Sequence, residues 1–323
     1  MNKRIFLKIS ALAAAFSVLL ASGCGGNAAS GEKHEHSTQS AESTGFDSTA
    51  PDTSAPSQKG ISVSTYSPDV FVYDADTDAF IMRSGLSERI YPASTTKLLT
   101  ALTALSVLEP DTVITAGDEI YLMGEGSSIA YILPGHKLTA EMLIEGMLLP
   151  SGNDAAYVLA AGAGRALAGD ESITPEAAVR RFTEEMNSYA ASLGCKDSNF
   201  TAPDGLCGSE HYSTLEDMAK ISAAAAKNEI ILKYARLVFD DVVYASGHTN
   251  HWENSNKQLH GDSEFYNPNV IGLKTGSLTD NYCLITLYDE PDGDLYIIGV
   301  FGSKHEDDRY VDTREIIKAL EAR

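Results

Sequence analysis

The sequence predicts a mixed α/β fold of the α+β kind, in which a sheet assembled from both ends of the folded chain is covered by helices and carries a helical lobe between them. Three observations lead there. Short β-like runs open the folded part, apolar residues at helical spacing fill its middle, and β-like runs return after about Leu237. A functional site is expected at the junction of sheet and lobe.

The first two runs, Val70-Phe71-Val72-Tyr73 and Ala79-Phe80-Ile81-Met82, flank the polar stretch Asp74 to Asp78 and read as a hairpin. A helix follows from Ser94, with Leu98, Leu99, Leu102 and Leu105 on one stripe and Ala101 and Ala104 nearby, and it ends before Pro110. So apolar a helix is expected to be buried. The spacing predicts further helices over Thr139 to Leu149, Asp154 to Ala168, Pro175 to Leu193 and Thr214 to Lys227. Strands are expected over Val238 to Tyr244, Gly272 to Thr275, Tyr282 to Tyr288 and Leu295 to Phe301. The last two are joined as a hairpin across Pro291-Asp292-Gly293, and a closing helix covers Thr313 to Leu320.

Ahead of this domain, which is expected to run from Ile61 to Arg323, residues 1–23 read as an export signal. They carry Lys3, Arg4 and Lys8, a mainly apolar run from Ile9 to Leu20, and the small residues Ala21-Ser22-Gly23 before Cys24. The run is too short to span a bilayer. From Gly25 to Gly60, Ser, Thr, Gly, Ala and Pro make up 23 of 36 residues and Phe46 is the only large apolar side chain, so residues 24–60 are expected to form a disordered tether. His34 and His36 flank Glu35 there, but with no cysteine or further histidine clustered beside them they make a poor metal site.

Removing the leader takes away three positive charges and carries the formal charge from −21 to −24. Such an acidic protein is a poor partner for nucleic acid or anionic headgroups. Besides Cys24 the chain has Cys195, Cys207 and Cys283. A Cys195–Cys207 disulfide is left open by the spacing, and Cys283, inside an apolar run, is expected in the core.

Three short motifs carry chemistry: Ser94-Thr95-Thr96-Lys97, Ser151-Gly152-Asn153 and Lys274-Thr275-Gly276. The first pattern alone arises about once by chance in a chain of this length, and a second match stands at Ser30-Gly31-Glu32-Lys33. The conjunction, the order and the setting therefore matter more than any one motif. A serine hydroxyl is a weak nucleophile until a base takes its proton, and the titratable group fixed beside Ser94 by sequence is Lys97. A lysine acts as a base only when neutral, so its reference value near 10.4 must fall to about 7 at a cost of roughly 4 kcal/mol, through burial and a nearby cation such as Lys274. Ser94 near a helix start also gains free backbone amides and the positive end of the macrodipole. Standing alone, the motif would read as a capping serine followed by a solvated lysine.

Ser151-Gly152-Asn153 lies at a break between two helical stretches. Those residues equally suit a capping turn. As functional groups, Ser151 could relay a proton between Lys97, Lys274 and a leaving group, and the Asn153 amide could hold a substrate carbonyl. Lys274-Thr275-Gly276 falls on a strand, where the edge can pair with an extended peptide, the glycine admits close approach, and Lys274 with the Thr275 hydroxyl suits a carboxylate.

The stretches Tyr91-Pro92-Ala93-Ser94-Thr95-Thr96-Lys97, Leu149-Pro150-Ser151-Gly152-Asn153-Asp154-Ala155-Ala156 and Gly272-Leu273-Lys274-Thr275-Gly276 resemble the signature segments of serine-type D-alanyl-D-alanine carboxypeptidases, the low-molecular-mass penicillin-binding proteins. Asn199-Phe200, Gly205-Leu206, Tyr212-Ser213, Asp217-Met218-Ala219 and Asn254-Ser255-Asn256-Lys257 are similar to intervening segments of that family. The resemblance spans about Pro68 to Ile317. It implies the penicillin-recognising fold shared with serine β-lactamases, an antiparallel sheet flanked by helices with an all-helical lobe. It also implies that Ser94 attacks a peptidoglycan stem peptide ending in D-Ala-D-Ala, expels the terminal D-Ala, and forms an acyl-enzyme that water hydrolyses. By the same resemblance Lys97 is the base, Ser151 the proton relay and Asn153 a ligand of the substrate amide. Lys274 and Thr275 would hold the terminal carboxylate, and the backbone amides of Ser94 and Ser277 would form the oxyanion hole. β-Lactams are implied as covalent inhibitors, and no metal or organic cofactor is implied.

The residues before Cys24 resemble the lipobox of bacterial lipoproteins, with Ala21 where that family most often has Leu. Lipid on Cys24 would hold the protein at the outer face of the cytoplasmic membrane, with plain secretion as the alternative. The carboxypeptidase family often continues into a C-terminal β-rich domain and an amphipathic membrane helix, whereas this chain ends soon after its last helix, so an N-terminal lipid would replace that anchor. A class A β-lactamase would have Ser-Asp-Asn in place of Ser151-Gly152-Asn153 and a Glu-x-x-Leu-Asn loop, which does not occur between Asn153 and Lys274. A non-hydrolytic lipoprotein that binds penicillin or peptidoglycan as sensor or scaffold remains the alternative outside catalysis.

Overall fold

The computed structural model describes residues 60–206, 208–291 and 293–323. The expected leader over 1–23, nearly all of the expected tether with Cys24 and the His34-Glu35-His36 cluster, and Cys207 lie outside the described residues.

Two continuous apolar runs make the first hairpin, β1 (Asp69–Asp74), buried along its whole length, and β2 (Ala79–Ser84), as expected. A 3₁₀ turn at Ala93–Thr96 leads into α1 (Lys97–Val107), whose residues from Lys97 to Ala104 are all buried. Two strands of three residues, β3 (Val113–Thr115) and β4 (Lys137–Thr139), pair antiparallel. The helical lobe continues with α2 (Ala140–Leu148), α3 (Asn153–Ala168) and α4 (Pro175–Ser192), then α5 (Leu215–Ala226) and α6 (Glu229–Ala235). Their starts follow local chemistry. The side chains of Thr139, Thr174, Thr214 and Asn228 each accept a bond from a first-turn amide, and Pro175 stands where a missing amide costs nothing.

Strands β5 (Phe239–Val243) and β6 (Thr249–Glu253) form a separate antiparallel pair. The chain then completes the main sheet with β7 (Val270–Leu278), β8 (Asn281–Asp289) and β9 (Leu295–Ser303), and closes with α7 (Asp308–Glu321). The five-stranded sheet has the order β2-β1-β9-β8-β7 and is antiparallel at every junction. Both ends of the domain therefore build it, which is the expected architecture.

Residues alternate between the two faces with the strand period of two. Val70 and Val72 of β1 and Ile298 and Val300 of β9 pack with Ile316, Ile317 and Leu320 of α7. Phe71 and Tyr73, with Ile297 and Phe301, belong instead to the large core shared with the helical lobe. Within the lobe every residue of α3 from Asn153 to Ala161 is buried, so this helix is an internal post with its N-terminus at the site.

Some elements depart from expectation. The strand over Val238 to Tyr244 pairs with β6 and stays out of the main sheet. The short elements β3, β4, β6 and α6 carry too few residues for either period to register, and β6 reads Thr-Asn-His-Trp-Glu with a single apolar residue. Cys283 is buried as expected, and burial pushes its thiol up to about 12. Cys195 is a free, buried thiol that donates to the Asp217 carbonyl at 3.6 Å. Among the described residues no helix is long and apolar enough to cross a membrane.

Candidate active site

Ser94 does not open an α-helix. It lies on the 3₁₀ turn, and α1 begins only at Lys97. With three residues per 3₁₀ turn, side chains at i and i+3 eclipse, which aligns the two groups. Lys97 Nζ donates to Ser94 Oγ at 2.8 Å. The same ammonium donates to Asn153 Oδ1 at 2.7 Å and to the Asp204 carbonyl at 3.2 Å. Lys97 has no exposed surface, while Ser94 is half-buried and open to a substrate. Burial lowers the Lys97 ammonium to about 8, against the charges of Asp204 and Asp154, which favour the proton.

The second motif turns the chain from α2 into α3. Ser151 sits at φ +61°, a left-handed conformation unusual for a serine, and is buried. Asn153 is held from both sides: its Nδ2 donates to Ser127 Oγ at 2.8 Å, and its backbone N donates to the Ser128 carbonyl at 2.8 Å. These bonds orient the Asn153 oxygen toward Lys97. The next residue, Asp154, binds the same loop through its carboxylate, which accepts from Ala130 N and Ile132 N, each at 2.8 Å. Burial raises the Asp154 carboxyl and the backbone bonds from Ala130, Ile132 and Ala155 oppose this, so they favour its anion.

Gly152 has a steric reason to be glycine. A Cβ there would lie 2.6 Å from the Ala130 Cβ and 2.7 Å from Asp154 Oδ1. Gly152→Ala should push the Ser127–Ile132 loop off Asn153, destabilise the fold by about 1–3 kcal/mol and slow acylation. A thermal melt and a penicillin-labelling time course check this, and an unshifted melt would contradict it.

The third motif lies on β7 against the serine turn. A Cβ on Gly276 would sit 3.0 Å from the Pro92 carbonyl oxygen and 3.2 Å from Ser94 N, so the strand approaches Ser94 at backbone distance. Lys274 is fully buried, and its Nζ donates to the Thr275 carbonyl at 3.0 Å and to Thr275 Oγ1 at 3.4 Å. Burial holds Lys274 well below the ordinary lysine value, with further lowering from the charges of Lys97 and Arg309.

The three motifs therefore meet at the junction of sheet and lobe: Lys97 bonds Ser94 and Asn153, its charge acts on Lys274, and Gly276 packs against Ser94 N. Several contributors escaped the sequence. Ser127 orients Asn153, Asp154 clamps the loop, and Asp204 faces Lys97 with both its carbonyl and its buried charge. Ser255 Oγ shares a hydrogen bond of 2.6 Å with Thr275 Oγ1. Arg309 Nη1 donates to the Gly276 carbonyl at 2.8 Å and to the Cys283 carbonyl at 3.1 Å, which fixes the end of β7. Asp154 stood inside a motif stretch and Ser255 inside the family-like segment Asn254-Ser255-Asn256-Lys257, but neither was assigned a role; the others reach the site from loops and a helix distant in sequence.

Residues 53–295 match the family model of peptidase S11, D-alanyl-D-alanine carboxypeptidase. The chain is 30% identical over 217 residues to the D-alanyl-D-alanine carboxypeptidase DacF of Bacillus subtilis, covering 65% of this chain and 51% of that protein. It is 31% identical over 210 residues to a D-alanyl-D-alanine carboxypeptidase of Streptomyces sp. strain K15, covering 59% of this chain and 66% of that one. It thus spans between about half and two thirds of the length of these curated relatives. The crystal structure of the Streptomyces K15 DD-transpeptidase superposes with a TM-score of 0.72 at 28% identity, covering 81% of this chain and 99% of that one. With a family model matching most of its length, and with all three motifs gathered at one site, the chain belongs to the D-alanyl-D-alanine carboxypeptidase family of serine peptidases.

Proposed function

We propose that the protein is a serine-type D-Ala-D-Ala carboxypeptidase that removes the terminal D-Ala from peptidoglycan stem peptides. The observation that carries this reading is the 2.8 Å bond between Lys97 Nζ and Ser94 Oγ inside a site bordered by Lys274 and Thr275. Neutral Lys97 takes the Ser94 proton as Oγ attacks the penultimate carbonyl carbon. The oxyanion that forms is met by the backbone amides of Ser94 and Ser277. Collapse breaks the peptide bond, and the departing amine receives a proton through Ser151. Water then attacks the ester on Ser94 by the same acid–base route and frees the enzyme.

Two buried lysines in one site repel, so near neutrality the pair is best served by a single positive charge. A substrate carboxylate at Lys274 and Thr275 draws that charge to Lys274 and leaves Lys97 neutral. The terminal carboxylate would then be both a recognition element and the trigger that arms the base.

Lipid at Cys24, following removal of residues 1–23, would anchor the protein outside the cytoplasmic membrane, with residues 24–60 as a tether and the domain from Ile61 free to reach peptidoglycan. The three small residues before Cys24 support this part of the reading.

Incubating the protein with a stem pentapeptide and, separately, with a fluorescent penicillin tests the activity. D-Ala release and covalent labelling are expected, and both should vanish in Ser94→Ala. Labelling without release would favour a penicillin-binding sensor, rapid loss of label with hydrolysed antibiotic would favour a β-lactamase, and neither signal would contradict the proposal outright.

A further inference from the structure

Among the described residues, five that are not glycine have a positive φ: Asp78, Ala93, Tyr131, Ser151 and Asp280. Asp78 and Asp280 occupy the turns of the β1–β2 and β7–β8 hairpins, where a short polar side chain tolerates the left-handed region. Ala93 precedes the nucleophile, and Ser151 belongs to the second motif. Tyr131, at φ +59°, is the remaining one, and a bulky aromatic residue is a genuine outlier there.

Its surroundings over-determine the conformation. The amides on either side, Ala130 N and Ile132 N, both donate to the buried Asp154 carboxylate at 2.8 Å. The Ala130 carbonyl accepts from Trp252 Nε1 at 2.9 Å and from Asn250 Nδ2 at 2.7 Å. Strain held in place this firmly clusters at ligand-binding positions.

Exposure along the same strap alternates. Ile129, Tyr131 and Leu133 are 37%, 68% and 58% exposed, while Ala130 and Ile132 are buried. A solvated edge would carry polar residues at those outward positions, so a row of three large apolar side chains marks a contact surface. The strap starts at Ser127, which bonds Asn153, so the row lies on the helical-lobe side of the site. With Lys274 and Thr275 assigned to the terminal carboxylate, the leaving D-Ala lies toward β7, and the acyl half of the substrate continues past Asn153 toward the strap.

We propose that Tyr131, flanked by Ile129 and Leu133, is a specificity-determining contact for the aliphatic side chain of the third stem residue, upstream of the scissile bond. This rests on the carboxypeptidase reading. The strained backbone presents the ring outward, and the Asp154 clamp ties its position to that of Asn153.

The test compares a stem pentapeptide with N-acetyl-D-Ala-D-Ala, which lacks the upstream residues, on the full chain and on Tyr131→Gly and Tyr131→Phe. For Tyr131→Gly, kcat/KM for the pentapeptide should fall about tenfold, with the short substrate unchanged. The melting temperature should not fall, because glycine accepts the left-handed backbone. Tyr131→Phe should behave as the wild type. An unchanged pentapeptide rate in Tyr131→Gly, an equal loss on both substrates, or a loss in Tyr131→Phe as large as in Tyr131→Gly would overturn the assignment. A wild-type protein that released D-Ala from neither substrate would remove the carboxypeptidase reading and this contact together, whereas an active wild type with an indifferent Tyr131→Gly removes the contact alone.

Discussion

Replacing Lys97 with Met should lower the rate of Ser94 acylation about a thousandfold, the range expected when a positioned general base is lost. Met keeps most of the buried volume, so the loss would trace to chemistry and not to a cavity. Among the described residues no other titratable group donates to or accepts from Ser94 Oγ, and the Lys97 ammonium has been lowered to about 8 by burial. Because the base must be neutral, kcat/KM in the wild type should climb about tenfold per pH unit up to pH 8 and then level off. The same shift sets a sign for stability. Lys97 is depressed from 10.5 to about 8 in the folded state, so the unfolded chain binds the proton more tightly. Burying the ammonium therefore costs stability below pH 8, and the cost fades as pH rises toward 10.5. Between pH 8 and 10 the wild type should gain roughly 2 kcal/mol relative to Lys97→Met in denaturant melts. A flat difference would mean that Lys97 is not the depressed group.

Removing the negative charge that Lys274 and Thr275 are proposed to receive should have the second-largest effect. A stem pentapeptide with a C-terminal amide should turn over at least about a hundredfold more slowly than the free acid, the size expected when a buried charged group is left without its partner. If the carboxylate also draws positive charge from Lys97 to Lys274, part of that loss lies in kcat and persists at saturation. The acid limb of kcat should then lie at lower pH than that of kcat/KM for the free acid, and the two should coincide for the amide. Lys274→Ala should erase the preference for acid over amide. A discrimination that survived in Lys274→Ala would assign carboxylate recognition elsewhere, with Arg309 the next cation, although it is already committed to the Gly276 and Cys283 carbonyls.

The longer elements were legible from their periods. The hairpin at the start, the buried α1 and helices α2 to α5 fall within a few residues of the expected bounds, because each carries a run of apolar residues, and Thr139, Thr174 and Thr214 cap α2, α4 and α5. The order of the sheet was not legible strand by strand, since pairing β1 with β9 is a contact across most of the chain. The site shows the same division. Ser94, Lys97, Asn153 and Lys274 announce themselves because their spacing is chemical. Asp204, Ser127, Ser255 and Arg309 do not, because each acts through a contact made only when distant segments meet. Gly152 was legible as a feature that separates family from family. Its physical reason, the Ala130 side chain pressed against it, required the fold.

The most direct measurement is to quench the reaction of the protein with a stem pentapeptide on the millisecond scale and map the adduct by peptide mass spectrometry. A tetrapeptidyl ester on Ser94, appearing with one equivalent of D-Ala and then decaying, is the expected result. D-Ala released with no ester on Ser94, or an ester on any other residue, would contradict catalysis through a Ser94 acyl-enzyme.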